Sequence, residues 1–259
     1  MNKIKQAFEH GKALIPFITC GDPSLELTEQ LVYAMEEAGA DMMELGIPFS
    51  DPTAQGPAVQ AADARALKNG VTTDRVFETV EKIRCNSQIP LVLVTYANVV
   101  FSYGAQRFVQ KAAQIGVDGL IVPDIPYEEQ EEFAPVCQKH GLALISMAAP
   151  ASRERVQMIA KQAQGFLCCV SALGAAGDEA GAVEGIAQLK KLAGEVSDIP
   201  CAAGFEIASP AQAAAVAAVS DGVFVDSAAV QLCGQYGEQC VPHVAGLVRS
   251  LKDAVRAGQ

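Results

Sequence analysis

Short runs of almost wholly apolar residues recur every ~20 to 30 positions along the chain, separated by longer stretches whose apolar positions follow helical spacing. The runs predict eight strands, at 14–20, 41–45, 90–96, 119–122, 142–147, 166–171, 200–204 and 222–225. Unbroken apolar runs of this length suit strands buried on both faces of a parallel sheet. The stretch opened by Thr72-Thr73-Asp74 carries Val76, Phe77, Val80 and Ile83 on one helical face. Ser209-Pro210-Ala211-Gln212 reads as another helix start, with a Ser cap, Pro in the first helical position and Gln closing a capping box. Eight strand–helix units in 259 residues predict an α/β fold, a single (β/α)8 TIM barrel spanning residues 1–259 without a linker. A doubly wound open sheet is the competing arrangement. It normally has a Gly-rich turn after its first strand, and Cys20-Gly21-Asp22-Pro23 is not one.

Composition narrows the function. Half of the residues are apolar and 19% are charged, enough for a sizeable core. No apolar run approaches the ~18 to 20 residues of a membrane span, and Met1-Asn2-Lys3-Ile4-Lys5-Gln6 does not open a signal peptide. A protein of the cytoplasm is the expectation, with no membrane partner. A net charge of −11 argues against nucleic acid, although one local pocket could still take a small phosphorylated ligand. Eight cysteines form no C-x-x-C pair and mostly fall inside apolar segments, as reduced core thiols do. With three scattered histidines, no zinc site is expected.

In a TIM barrel, chemistry belongs to the loops after the strands. Glu44 lies in the second strand, where alternation points it into the barrel. A carboxylate there must either titrate high, as a general acid/base does, or be satisfied by a backbone N–H or hydroxyl. The loop behind it, Ile47-Pro48-Phe49-Ser50-Asp51-Pro52-Thr53-Ala54-Gln55-Gly56-Pro57, has three prolines and is shaped to project.

Three segments carry a resemblance: Ile15-Pro16-Phe17-Ile18-Thr19-Cys20-Gly21-Asp22-Pro23, Glu44-Leu45-Gly46-Ile47-Pro48-Phe49-Ser50-Asp51-Pro52, and Tyr96-Ala97-Asn98. Pro123-Asp124-Ile125-Pro126-Tyr127-Glu128-Glu129, Gly204-Phe205 and Ser227 follow in the same order. From about residue 4 to residue 253 the chain resembles the tryptophan synthase α subunit. The resemblance implies a lyase that cleaves indole-3-glycerol phosphate to indole and glyceraldehyde 3-phosphate by a retro-aldol step, without cofactor or metal. It implies Glu44 as principal acid/base, with Phe17, Val94, Ile121 and Phe205 sandwiching the indole, although a plain core role suits those four apolar residues equally well. Tyr96, Gly177 and Ser227 fall at further substrate-binding positions. Pro48, Asp51 and Pro52 fall where the family meets its β subunit, in an αββα heterotetramer; loop rigidity explains those prolines equally well.

Five positions depart from the family pattern, all in one site. Gln55 stands where the family has an acid, so it can accept a hydrogen bond from an indole N–H but cannot supply negative charge. Cys168 replaces a Tyr, and Ala176 a Thr. Glu206 and Asp226 stand where the family has glycines whose amides approach the phosphate. Two unit charges ~4 Å apart repel by roughly 4 kcal/mol at an effective dielectric of ~20, so phosphate binding is expected to weaken unless both side chains swing into water. The expectation is impaired catalysis. The alternatives are an inactive α-like subunit that binds and tunes a β subunit and, last, a barrel enzyme with a different, cationic or hydroxylated ligand.

Overall fold

All eight apolar runs form parallel strands, and the ring they build closes on itself. The computed structural model of the chain describes residues 3–170, 179–204 and 206–257. Its strands are β1 (Ala13–Thr19), β2 (Met43–Gly46), β3 (Leu91–Val94), β4 (Gly119–Ile121), β5 (Ala143–Leu144), β6 (Ser146–Ala148), β7 (Leu167–Val170), β8 (Cys201–Gly204) and β9 (Gly222–Val225). They run β5-β4-β3-β2-β1-β9-β8-β7-β6 around the barrel, every pairing parallel.

The run at 142–147 was expected as one strand and is two. β5 pairs with β4, β6 pairs with β7, and Ile145 between them donates its N–H to the Leu120 carbonyl at 2.9 Å. Barrel strands are staggered against their neighbours. Here the lower half of the segment faces one neighbour and the upper half the other, so a single stretch of chain closes the ring.

Alternation sorts the side chains into two layers. Ala13, Ile15 and Phe17 of β1 pack inside with Met42, Val92, Val94 and Ile121, while Leu14 and Ile18 join the larger core between barrel and helices. The short helix Lys3–Gln6 closes the bottom, its fully buried Ile4 packed in the inner cluster. Among the helices, Thr73–Asn86 buries the expected stripe of Val76, Phe77, Val80 and Ile83, and its cap Thr72 accepts from the Arg75 N–H. Each such buried side chain contributes about 1.5–3 kcal/mol of transfer free energy. The helix Pro210–Val219 has the full capping box between Ser209 and Gln212. Seven of the eight cysteines are buried and all are free; Cys85 is exposed. Among the described residues, no helix is long and apolar enough to cross a membrane.

Candidate active site

A cavity of about 180 Å³ opens at the carboxyl ends of the strands, where β1 to β4 and β6 to β9 converge. Register sets its walls. Phe17 of β1 lies opposite Glu44 of β2, Val94 of β3 opposite Ile121 of β4, and Cys168 of β7 between Met147 of β6 and Ala202 of β8. Gly46 permits this packing: a Cβ there would lie 2.6 Å from Phe17 Cζ, so any side chain would push the ring out of the wall.

Glu44 is in phase with the interior residue Met42 and lies between outward-facing Met43 and Leu45. It is 8% exposed, and its Oε1 is buried without a hydrogen-bond partner. Burial, and then the nearby Asp226, push its pKa from 4.5 to about 8. Of the two readings open from sequence, a high-titrating acid and a satisfied carboxylate, the geometry gives the first. Gln55 also lines the cavity, and its Oε1 too is buried without a partner.

The two acids that the resemblance sets in place of glycines have different fates. Glu206 is exposed, with Oε1 3.8 Å from where a Cβ of Gly56 would sit, over the loop that follows β2. Asp226 stays in the cavity wall beside Ser227, at the start of the helix Ser227–Tyr236. Burial raises its pKa; its own amide and that of Ser227 pull it down, and Glu206 adds to the rise. The helix N-terminus, which offers free N–H groups to an anion, therefore faces a resident carboxylate. Cys168 is held as a neutral thiol by burial and by the charges of Glu44 and Asp226.

The loop after β2 is tied down from below. Asp63, in the helix Pro57–Lys68, accepts from Thr19 Oγ1 at 3.2 Å and from the Phe49 N–H at 3.4 Å. Its burial raises its pKa to about 6. Tyr96 stacks on Phe49 and accepts from the Ala54 N–H at 3.0 Å. It thus buttresses the loop, and it is absent from the cavity lining among the described residues. Arg65 clamps Asp22 with two hydrogen bonds of 2.7 Å, fixing the first loop to the same helix. Asp51 is exposed and Pro52 half-buried, whereas Pro48 is buried in the chain's own interior. Gly177, Phe205 and Ala176 lie outside the described residues.

Sequence reasoning passed over Val59, Met147, Val170 and Phe224 in the cavity wall, and Asp63 beneath the loop. Asp63 had a signal: it interrupts the buried stripe Val59, Ala62, Ala66 at helical spacing, where a lone acid must have a partner.

Among the described residues no Lys, Arg or His lines the cavity. Among the described residues no three His, Cys, Asp or Glu gather as a metal cluster would. The site is an apolar slot with one high-titrating acid at its base and a second carboxylate on its rim.

Comparison with known proteins finds similarity over nearly the whole chain. The family model described as tryptophan synthase alpha chain matches residues 2–256. A tryptophan synthase alpha chain of Lacticaseibacillus casei is 40% identical over 260 residues, covering 99% of this chain and 97% of that one. The crystal structure of the Legionella pneumophila str. Paris alpha subunit superposes with a TM-score of 0.90 at 35% identity, covering 99% of each chain. A chain from a tryptophan synthase complex of Pyrococcus furiosus matches with a TM-score of 0.84 at 32% identity, covering 94% of this chain and 99% of that one.

Proposed function

We propose, for a chain that belongs to the tryptophan synthase alpha chain family, a lyase site whose chemistry is impaired. The family's function is cleavage of indole-3-glycerol phosphate to indole and glyceraldehyde 3-phosphate in tryptophan biosynthesis, and its members normally partner a β subunit. In this reading the chain works in the cytoplasm as one barrel domain. Glu44 delivers a proton to indole C3 and, as its conjugate base, takes the proton of the side-chain hydroxyl. With a pKa of about 8 it is mostly protonated at neutral pH, suited to the acid half of that work. Phe17, Val94 and Ile121 flank the ring, and Gln55 accepts from the indole N–H. Gln55 lacks the charge that would stabilise the protonated ring, a contribution commonly worth several kcal/mol in a transition state.

The observation that carries the impairment is Asp226. Its carboxyl group lines the cavity at the start of the helix Ser227–Tyr236, the position where the resemblance puts the substrate's phosphate. A phosphate must displace or protonate it.

The second reading is a non-catalytic subunit that tunes a β subunit in an αββα heterotetramer. The bracing of the loop after β2 by Asp63 and Tyr96 favours it, because the loop keeps its shape, with Asp51 exposed, whether or not the site turns over. The experiment is steady-state cleavage of indole-3-glycerol phosphate by the purified chain, alone and with a closely related β subunit, beside a binding assay. Slow turnover, at least about a hundredfold below that of an intact family member, is the expected outcome. Binding to β with no turnover at any concentration would move the conclusion to the second reading, and turnover at the family's normal rate would remove the impairment.

A further inference from the structure

We infer that the cavity above Glu44 takes an organic cation: an ammonium on a short arm of a flat apolar body, the ring among Phe17, Val94, Ile121 and Phe224 and the charge between Glu44 and Asp226. This deepens the proposed reading, since it rests on this cavity being the ligand site, and it changes the class of ligand the site prefers.

The polar groups of the wall are lopsided. Glu44 and Asp226 bring two carboxyl groups, and among the described residues no cationic side chain lines the cavity to neutralise them. Glu206, the other acid near Asp226, is exposed and adds to the negative field rather than opposing it. Glu44 Oε1 is buried with no donor. A buried acceptor without a partner is costly, and in native proteins such an atom is generally satisfied by something that binds. Once Glu44 is ionised its oxygens can only accept, so the partner then missing is a donor, and the surrounding field selects a positively charged one. A metal ion is the poorer fit, because hard cations ask for six or more oxygens and among the described residues no cluster of three ligands exists. The apolar walls instead suit a ring, and an ammonium can pair with one carboxylate while donating to the other. An anion meets the opposite conditions, desolvated beside two acids.

The titration of the wall gives a signature. The groups facing Glu44 are Asp226 and the neutral thiol of Cys168. At neutral pH Glu44 holds its proton; an arriving ammonium drives it off. Cation binding should therefore release close to one proton near pH 7 and tighten as pH rises toward about 8.

The test is isothermal titration of tryptamine and of indole-3-propionate, which share a ring system and carry opposite charge, at about pH 6 and about pH 8. Tryptamine should bind at least about tenfold tighter than the propionate and tighten with pH. Buffers of different ionisation enthalpy should report the released proton. Asp226→Asn and Glu44→Gln, both near-isosteric, should each weaken tryptamine about tenfold without weakening the propionate, and circular dichroism verifies that each variant is folded. Equal or tighter binding of the propionate, tryptamine binding indifferent to both substitutions, or binding of neither probe overturns the inference. If neither binds while the variant Gln55→Asp, Cys168→Tyr, Glu206→Gly, Asp226→Gly cleaves indole-3-glycerol phosphate, the ligand site stands and only the cation falls. If that variant is inactive as well, the proposed function falls with it.

Discussion

Gln55→Asp alone should leave the cleavage rate within roughly tenfold of the parent, whereas the fourfold variant Gln55→Asp, Cys168→Tyr, Glu206→Gly, Asp226→Gly should gain two to four orders of magnitude in kcat/KM. Two separate losses explain the difference. The charge missing at position 55 acts only once the ring is protonated, so restoring it helps a substrate that already binds. The carboxylate of Asp226 acts earlier, by occupying the cavity wall at the start of the helix Ser227–Tyr236 and repelling a dianion. At roughly 4 kcal/mol for unit charges ~4 Å apart, before screening, that repulsion matches or exceeds the transition-state term. The two acids should also contribute unequally. Glu206 is exposed, where solvent screens its charge, so Glu206→Gly should change KM by less than about tenfold, while Asp226→Gly should carry most of the recovery. Indole release under steady-state conditions measures each variant. A large gain from Gln55→Asp by itself would show that the resident carboxylate does not obstruct the substrate.

Glu44→Gln is expected to stabilise the fold by roughly 3 to 5 kcal/mol at about pH 8 and to make almost no difference near pH 4.5. The sign follows from proton counting. In the unfolded chain Glu44 ionises near 4.5, and in the folded barrel near 8. Between those values the native state holds a proton that the unfolded state has lost, so the parent's stability falls as pH rises through the window. Below it both states are protonated and the penalty is absent; above it the penalty is complete. Glutamine keeps the shape and has no proton to lose. Asp63, raised from 3.8 to about 6, tilts the curve in the same direction, but it is present in both proteins and cancels in the difference. Urea unfolding of parent and variant at several pH values between about 5 and 8 gives the comparison. Parallel curves would mean that Glu44 is solvated or paired in the folded protein, against the geometry of its Oε1.

The barrel was legible because its signals are periodic. Eight apolar runs marked eight strand positions, alternation put Glu44 inside, and caps at Thr72 and Ser209 fixed two helix starts. Periodicity reports a face, not a neighbour or a rotamer, and the surprises all lie there. Ile145 continues the apolar run of 142–147 while its backbone switches partners, a feature of stagger that no residue type announces. Tyr96 belongs to a motif of the site yet spends its hydroxyl on the Ala54 amide. Glu206 and Asp226 look alike in sequence; one is exposed above Gly56 and the other lines the cavity wall at a helix start. Phe224 and Val59 reach the cavity from β9 and from a helix, meeting Phe17 only through the curvature of the barrel.

Because the strand order begins and ends on the same stretch of chain, the sheet has no terminal strand to offer among the described residues. Open sheets carry a row of unpaired amides and carbonyls along each edge, a template on which another chain can lay a strand. The turnover of partners at Ile145 removes that template: β5 gives its hydrogen bonds to β4 and β6 gives its own to β7. Recognition of another polypeptide by strand addition is closed to this protein. Whatever it assembles with must be met by side chains on its loops and outer helices, and chains that misfold beside it find no ladder to extend.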